Sequence, residues 1–171
     1  LWATHLPLEL DSGASGREVL LGHVSKGNPQ WKAAAGDNRV LAVFQGPHAY
    51  VSSSWYDHVN VPTWNYVAVH VYGVMRLLEG DVLVESLRKL LDRYEAGSEK
   101  PVRMEHFSEK FMESHLRGLV GLEIEITDVQ AAYKLSQNRD EANHAAVVNE
   151  LEKQGGELEK GVAAYMRRWG K

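Results

Sequence analysis

Apolar and polar positions along the chain follow two rhythms, and the most informative stretch is residues 43–73, VFQGPHAYVSSSWYDHVNVPTWNYVAVHVYG. Val40-Leu41-Ala42-Val43-Phe44 is a branched apolar run that suits a buried strand. Gly46-Pro47 interrupts it, and Ala49-Tyr50-Val51-Ser52 alternates as a second strand segment. A polar, Pro-containing loop over residues 53–62 follows, and Thr63 to Tyr72 predicts a long strand. Alternation puts Trp64, Tyr66, Ala68, His70 and Tyr72 on one face of that strand and Asn65, Val67, Val69 and Val71 on the other. Strands carrying aromatics, His, Asn and Gln at their ends line a crevice more naturally than a plain core.

The flanking segments supply the other elements. Leu1 to Leu10 alternates as a strand, with Pro7 tolerable at an edge, and Asp11 to Gly16 is turn chemistry before a strand over Glu18–Val24. Residues 25–31 (SKGNPQW) lead into a short helix through Lys32–Ala35, which Gly36-Asp37-Asn38 stops. Val82, Leu83, Leu87, Leu90, Leu91 and Tyr94 recur at helical spacing behind Asp81 as the expected N-cap, up to Gly97. Ser108–Arg117 predicts a second helix, with Phe107, Phe111, Met112 and Leu116 as its apolar side. Leu119–Thr127 reads as a strand with Leu122, Ile124 and Ile126 on one face and Glu123 and Glu125 on the other. Asp128-Val129-Gln130 predicts a turn and Ala131–Ser136 a closing strand, followed by helices over Glu141–Lys153 and Glu157–Arg168, parted at Gly155-Gly156. Antiparallel hairpins rather than βαβ alternation predict a small barrel with helices over its openings.

Bulk properties narrow the function classes. With 171 residues, 44% hydrophobic and 25% charged, the chain is of ordinary globular composition and long enough for one substantial core. A formal charge of −4 argues against wholesale binding of a phosphate backbone, although a local basic patch is compatible with it. The absence of cysteine rules out disulfides and thiolate metal sites. No run of apolar residues is long enough to span a bilayer and no secretory signal opens the chain, so a cytoplasmic protein without membrane contact is expected. The first residues already read as a strand in progress without an initiator Met, which predicts that an upstream piece is missing.

Several polar constellations sit at strand–helix junctions. Gly22-His23-Val24-Ser25-Lys26-Gly27-Asn28 combines a hydroxyl, an ammonium and flexible glycines where an anion such as phosphate could be met by backbone N–H groups. Taken alone, Ser25 as a helix cap and Lys26 as a solvated charge is the more economical reading. His5, His23, His48 and His70 are spread over separate segments and form no zinc-type pair, and a lone strand His is more often a wall residue than a ligand. No GxSxG, P-loop or GxGxxG is present. Trp2, Tyr94 and Tyr165 read as packing, whereas Trp31, Trp55, Tyr56, Trp64 and Tyr66 adjoin Pro, Gly, Asn or His and suit a planar ligand or an interface equally well. Residues 134–139 (KLSQNR) again set a hydroxyl, amides and cations at a strand–helix boundary.

Five blocks, ATHLPL (3–8), GHVSKGNPQW (22–31), FQGPHAYVSSSWY (44–56), VPTWNYVAVHVYG (61–73) and KLSQNR (134–139), resemble the PaiB-type FMN-binding negative transcriptional regulators. The resemblance implies an α+β fold: an antiparallel, Greek-key-like FMN-binding split β-barrel, related to the pyridoxamine 5′-phosphate oxidases, with flanking helices. It implies a barrel domain over residues 1–136, lacking its N-terminal helix and first strand, and C-terminal helices over residues 137–171 packed on it. It also implies a homodimer holding FMN at the subunit interface, with no metal. Carried onto this chain, it makes Ala3, Thr4 and His5 strand residues under the isoalloxazine. Ser25 and Lys26 become phosphate contacts, overturning the economical reading, with Asn28, Gln30 and Trp31 in support. Gln45, His48, Trp64, Asn65 and Tyr66 line the ring or the dimer seam, and Lys134, Ser136, Gln137 and Arg139 reach the same cleft. The segment Ser98–Met104 departs from the pattern, which carries a Trp there.

Regulation is the first function this implies, yet no helix-turn-helix is visible and the charge is acidic, so direct DNA binding by the dimer and regulation through a protein partner both stay open. The alternative is an FMN-dependent oxidoreductase of the pyridoxamine 5′-phosphate oxidase type, with His5, His48 and His70 as candidates for proton transfer. A flavin- or haem-binding protein ranks third.

Overall fold

The computed structural model describes residues 3–13 and 16–170. Among the described residues, five strands and four α-helices occur with short 3-10 turns between some of them: β1 (Glu9–Ser12), β2 (Glu18–Ser25), β3 (Arg39–Val51), β4 (Thr63–Leu78), α1 (Gly80–Glu95), α2 (Glu109–Leu116), β5 (Leu119–Lys134), α3 (Glu141–Gln154) and α4 (Glu157–Trp169). The strands form an open antiparallel α+β sheet in the order β1-β2-β5-β4-β3, with β1 and β3 as its edges. Two compact units make up the chain, one of Leu1–Leu41 and Tyr72–Asp128, the other of Ala42–Val71 and Val129–Lys171.

In the first unit, β1 and β2 form a hairpin with Glu9 opposite Leu21 and Ser12 opposite Glu18. Its turn is closed by Gly13 N–H donating to Arg17 O (2.8 Å), and Gly16 takes φ +76° there, a conformation that costs glycine little. β2 then runs antiparallel to β5 from Val19 opposite Glu125 to Ser25 opposite Leu119. Val19, Leu20, Val24, Met75, Leu78, Leu83, Leu122 and Ile124 are buried. Gly73 brings β4 close to β5: a Cβ there would lie 2.4 Å from Ile124 Cγ2 and 2.6 Å from Glu125 O.

The second unit is built on ends of β3, β4 and β5. Ala49, Val51, Val67 and Leu135 pack with Val147, Val148 and Leu151 of α3 and Val162, Ala163 and Met166 of α4 in one apolar cluster. Asp140 caps α3 by accepting from Asn143 N (2.9 Å), and Gly155 ends it in the left-handed conformation, φ +78°. Gly161 lets α4 approach Pro47, whose ring carbons would lie 2.7–2.8 Å from a Cβ at that position.

Several expectations are corrected. The predicted first strand begins only at Glu9; residues 3–8 carry no ladder, and Leu1 and Trp2, like Ala14 and Ser15 of the following turn, lie outside the described residues. Gly46-Pro47 does not break β3, because an edge strand tolerates a residue without an N–H. Residues 128–130 make no turn, and β5 continues through them to Lys134. Asp81 is not the cap of α1: Glu79 holds that position without a side-chain bond, and Ala96 rather than Gly97 is its C-cap. On the Glu123–Glu125 face of β5, the Glu125 side chain is only 12% exposed and is paired with Arg17 and, at 2.9 Å, with Arg76. Tyr94 is 65% exposed rather than packed. The Ser98–Met104 departure is filled differently, with Met104 buried at the start of a 3-10 turn.

Candidate functional site: a phosphate junction and an aromatic groove

The residues singled out from sequence divide between the two units. In the first, β2 ends at Ser25 and the chain bends into a 3-10 helix over Pro29–Ala35. Ser25 Oγ accepts from Gly27 N (3.2 Å) and its carbonyl from Asn28 N (2.9 Å), which makes the bend a self-bonded turn. Lys26 is pinned at both backbone groups: its N–H donates to Gly118 O (2.8 Å) and its carbonyl accepts from Trp31 Nε1 (3.0 Å). No carboxylate pairs with the Lys26 ammonium among the described residues.

Thr4, Asn28 and Gln30 hold this bend from beneath. Thr4 Oγ1 donates to Gln30 Oε1 (2.5 Å), Asn28 Nδ2 donates to Thr4 Oγ1 (2.9 Å), and Gln30 N–H donates to Asn28 Oδ1 (2.9 Å). Their polar atoms are engaged in shaping the bend, while the Lys26 ammonium is not. His5 is exposed on the neighbouring segment. Lys26 and Trp31 line a cavity of about 610 Å³ with Arg117, but Glu79, Asp81 and Glu113 share it, so its field is mixed. The Lys26 ammonium, rather than the cavity as a whole, has the chemistry that suits an anion.

In the second unit, Gln45 and His48 of β3 and Trp64 and Tyr66 of β4 line one groove of about 560 Å³. Ala68, His70 and Ala132 complete it. The β4 members are the i, i+2 face expected from alternation, while Ala132 enters because β5 continues where the sequence predicted a turn. His48 stacks on Trp64 with centroids 5.8 Å apart and planes 27° apart, and Tyr50 tilts against the same indole at 6.2 Å. Trp64 stays 47% exposed, so an indole face is offered to a ligand. Gln45 Nε2 makes only long contacts, 3.4 Å to Gly46 O and 3.5 Å to Val67 O, which leaves its amide able to serve another partner.

Asn65, on the opposite face of β4, is fully buried. Its Nδ2 donates to Ser136 Oγ (3.0 Å) and contacts Met166 Sδ (3.5 Å), and Ser136 Oγ lies 3.2 Å from Asn65 Oδ1. Ser136 takes φ +58°, the one such conformation at a described residue other than glycine. Its neighbours are engaged locally: Lys134 Nζ donates to Thr63 Oγ1 (2.5 Å), Gln137 accepts from Leu135 N (2.8 Å) and donates to Tyr133 O (2.7 Å), and the Arg139 guanidinium lies 4.9 Å over the Tyr56 ring. None of these five lines the groove.

The electrostatics are modest. Burial lowers the pKa of His23 on β2. The His58 imidazole and the Asn143 amide hold the Asp57 carboxyl below its ordinary range, and the Asn143 N–H does the same for Asp140. No group of three or more His, Asp or Glu side chains suited to a metal occurs among the described residues, and no described helix is long and apolar enough to cross a membrane.

Residues 1–128 match the family described as "Putative FMN-binding domain". The chain belongs to this FMN-binding family. It is 46% identical over 164 residues to the Protease synthase and sporulation protein PAI 2 of Bacillus subtilis (strain 168), a match covering 96% of this chain and 79% of that protein. An uncharacterized Emericella nidulans protein, AN0679, is 27% identical over 205 residues, covering 98% of this chain and 82% of its own. Among solved structures, the flavocytochrome Anf3 of Azotobacter vinelandii aligns at 16% identity with a TM-score of 0.48, over 74% of this chain and 56% of that one.

FMN is thus the cofactor of this PaiB-type chain, and the residues present fit it. The groove offers an indole face, an amide with donor and acceptor, and two alanines that leave room for a flat ring, while Lys26 and Ser25 suit a phosphate. Bound flavin supplies reversible electron transfer.

Proposed function

We propose that this protein is an FMN-binding regulator that works as a cytoplasmic homodimer, with flavin held at the subunit interface. The observation that carries the reading is the groove in which Gln45, His48, Trp64 and Tyr66 converge, in a chain of an FMN-binding family. Trp64 and Tyr66 serve the isoalloxazine and Gln45 its polar edge; the assignment of the phosphate to Ser25 and Lys26 rests on the family resemblance. Homodimerisation is supported by apolar side chains exposed in the second unit, Val43 (56%), Tyr50 (47%) and Val59 (101%), the first two on an edge strand. The regulatory role is supported by the resemblance to PAI 2, a sporulation protein by its name.

Titration of the purified chain with FMN tests the site. Lys26→Ala is expected to weaken flavin binding on the order of tenfold, the loss of one charge-assisted contact, while the exposed control Lys160→Ala leaves it unchanged. An unchanged titration in Lys26→Ala removes the phosphate assignment, and a colourless protein indifferent to FMN removes the reading. A salt-dependent shift of promoter DNA separates direct DNA binding from action through a protein partner.

One observation favours a second reading, a flavin-dependent oxidoreductase: His48 and His70 both line the groove, where a side chain could hand a proton to a substrate beside the flavin. Oxidation of reduced nicotinamide or pyridoxamine phosphate by the holoprotein, lost in His48→Gln and His70→Gln, is the outcome it requires.

A further inference from the structure

The groove of the second unit has a one-sided inventory of charge. His48, His70 and the Tyr66 phenol are its ionisable members, and the rest of the lining is an amide, an indole and two alanines. No carboxylate is among the described residues that line it. The strands around it are equally poor in acid. Residues 40–56 hold no ionisable acid or base besides His48, and residues 59–75 none besides His70. On β5, residues 129–134 add Lys134, a cation whose Nζ donates to Thr63 Oγ1 (2.5 Å).

Both imidazoles are partly buried, and no hydrogen bond or ion pair engages either of them among the described residues. His48 is held by its stack on Trp64, with centroids 5.8 Å apart. Imidazole is the side chain that ordinarily gains its charge near neutral pH. Each protonated ring then adds a positive charge that no acid in the lining offsets. In a groove partly shielded from water such a charge acts over several ångströms. It requires no particular ring atom to be turned toward the ligand.

The two redox forms of flavin differ in charge. Oxidised FMN has a neutral ring; reduction adds two electrons and one proton and leaves one negative charge on the ring near neutral pH. Charge placed beside the ring therefore tunes its electronics. We infer that this groove holds reduced, anionic FMN more tightly than oxidised FMN, with His48 and His70 as the side chains responsible. The inference rests on the placing of the flavin ring in the groove proposed above. Flavin loading then responds to a reductant of the nicotinamide or thiol class, which supplies the electrons. The response fades as rising pH strips the imidazoles of their protons.

Anaerobic spectroelectrochemical titration of the FMN-loaded full chain, with dithionite as reductant, reads the preference as the potential of bound flavin relative to free FMN. A preference on the order of tenfold is expected at about pH 6.5, a shift of about +30 mV for a two-electron couple. It should fall below about threefold at about pH 8.5. His48→Gln/His70→Gln should abolish the positive shift at the lower pH, while the exposed control Lys160→Ala keeps it. His48→Gln/His70→Lys carries a charge that persists, so its positive shift should survive at the higher pH. Should the double glutamine variant lose its far-ultraviolet dichroism, the wild-type shift and its decline with pH decide the matter. Bound flavin at or below the potential of free FMN near the lower pH overturns the inference, as does an undiminished shift in the folded double glutamine variant. A chain that takes up no FMN refutes the flavin reading and this inference together, whereas bound FMN with an unshifted potential refutes this inference alone.

Discussion

Ser136 and Asn65 permit an unusual ranking of variants. Wild-type Ser136 holds φ +58° while its hydroxyl bonds Asn65, which is fully buried. Ser136→Ala keeps the backbone conformation and removes both contacts, leaving the Asn65 amide with the weak Met166 sulfur at 3.5 Å. An orphaned buried polar group costs about 1–3 kcal/mol. Ser136→Gly removes the same contacts but relieves a conformation that costs a residue with a Cβ about 1 kcal/mol. The glycine variant should therefore be more stable than the alanine variant by about 1 kcal/mol, the reverse of the usual order within regular structure. Asn65→Leu should cost about 1–3 kcal/mol by stranding the Ser136 hydroxyl. Combining it with Ser136→Ala should cost less than the sum, because both ends of the pair are then apolar. Urea unfolding followed by tryptophan fluorescence, with coincident far-ultraviolet dichroism to establish a two-state transition, measures all four proteins. If Ser136→Gly is no more stable than Ser136→Ala, the left-handed backbone is not strained. If the double variant shows strict additivity, the hydrogen bonds do not couple the pair.

Two further outcomes follow from single side chains. Burial lowers the His23 pKa in the folded chain, so the unfolded chain binds more protons near the ordinary value of about 6.5; stability should decline as pH falls through that value toward the lower folded pKa, and His23→Phe should flatten that slope in urea midpoints taken from pH 7.5 to 5. Gly73→Ala places a methyl 2.4 Å from Ile124 Cγ2 and 2.6 Å from a backbone oxygen, so β4 and β5 must part; a loss of about 1–3 kcal/mol is expected, and an unchanged thermal midpoint would show that the strands yield freely.

Local patterns were legible where one neighbour decided the outcome. The i, i+2 face of β4, the second helix from Ser108 and the Gly155 break between α3 and α4 are each set within a few residues, and each is found. The misses share a different cause. Pro47 lies inside β3 because β3 is an edge, a property of the whole sheet that no local window contains. The unbroken β5 overrides a polar Asp128-Val129-Gln130 string that would turn in isolation. The pairing of Glu125 had no local signal, because its two arginine partners, Arg17 and Arg76, are 108 and 49 positions away.

The candidate site shows the same division within one set of residues. Lys26, Gln45, His48, Trp64 and Tyr66 present groups that an outside molecule could use. Thr4, Asn28 and Gln30, and separately Asn65 and Ser136, spend their polar atoms on one another. A sequence motif records both kinds alike, because a bend that displays an ammonium and the amides that hold the bend are needed together. Geometry separates them through a measurable contrast. Truncating a displayed group should weaken flavin with little change in unfolding free energy, whereas truncating a holding group should lower stability first and change flavin affinity only as far as the bend relaxes. Lys26→Ala and Asn28→Ala, two residues apart on one turn, are the sharpest pair for that comparison: a Lys26 variant that unfolds more easily while binding flavin normally would reverse the two roles.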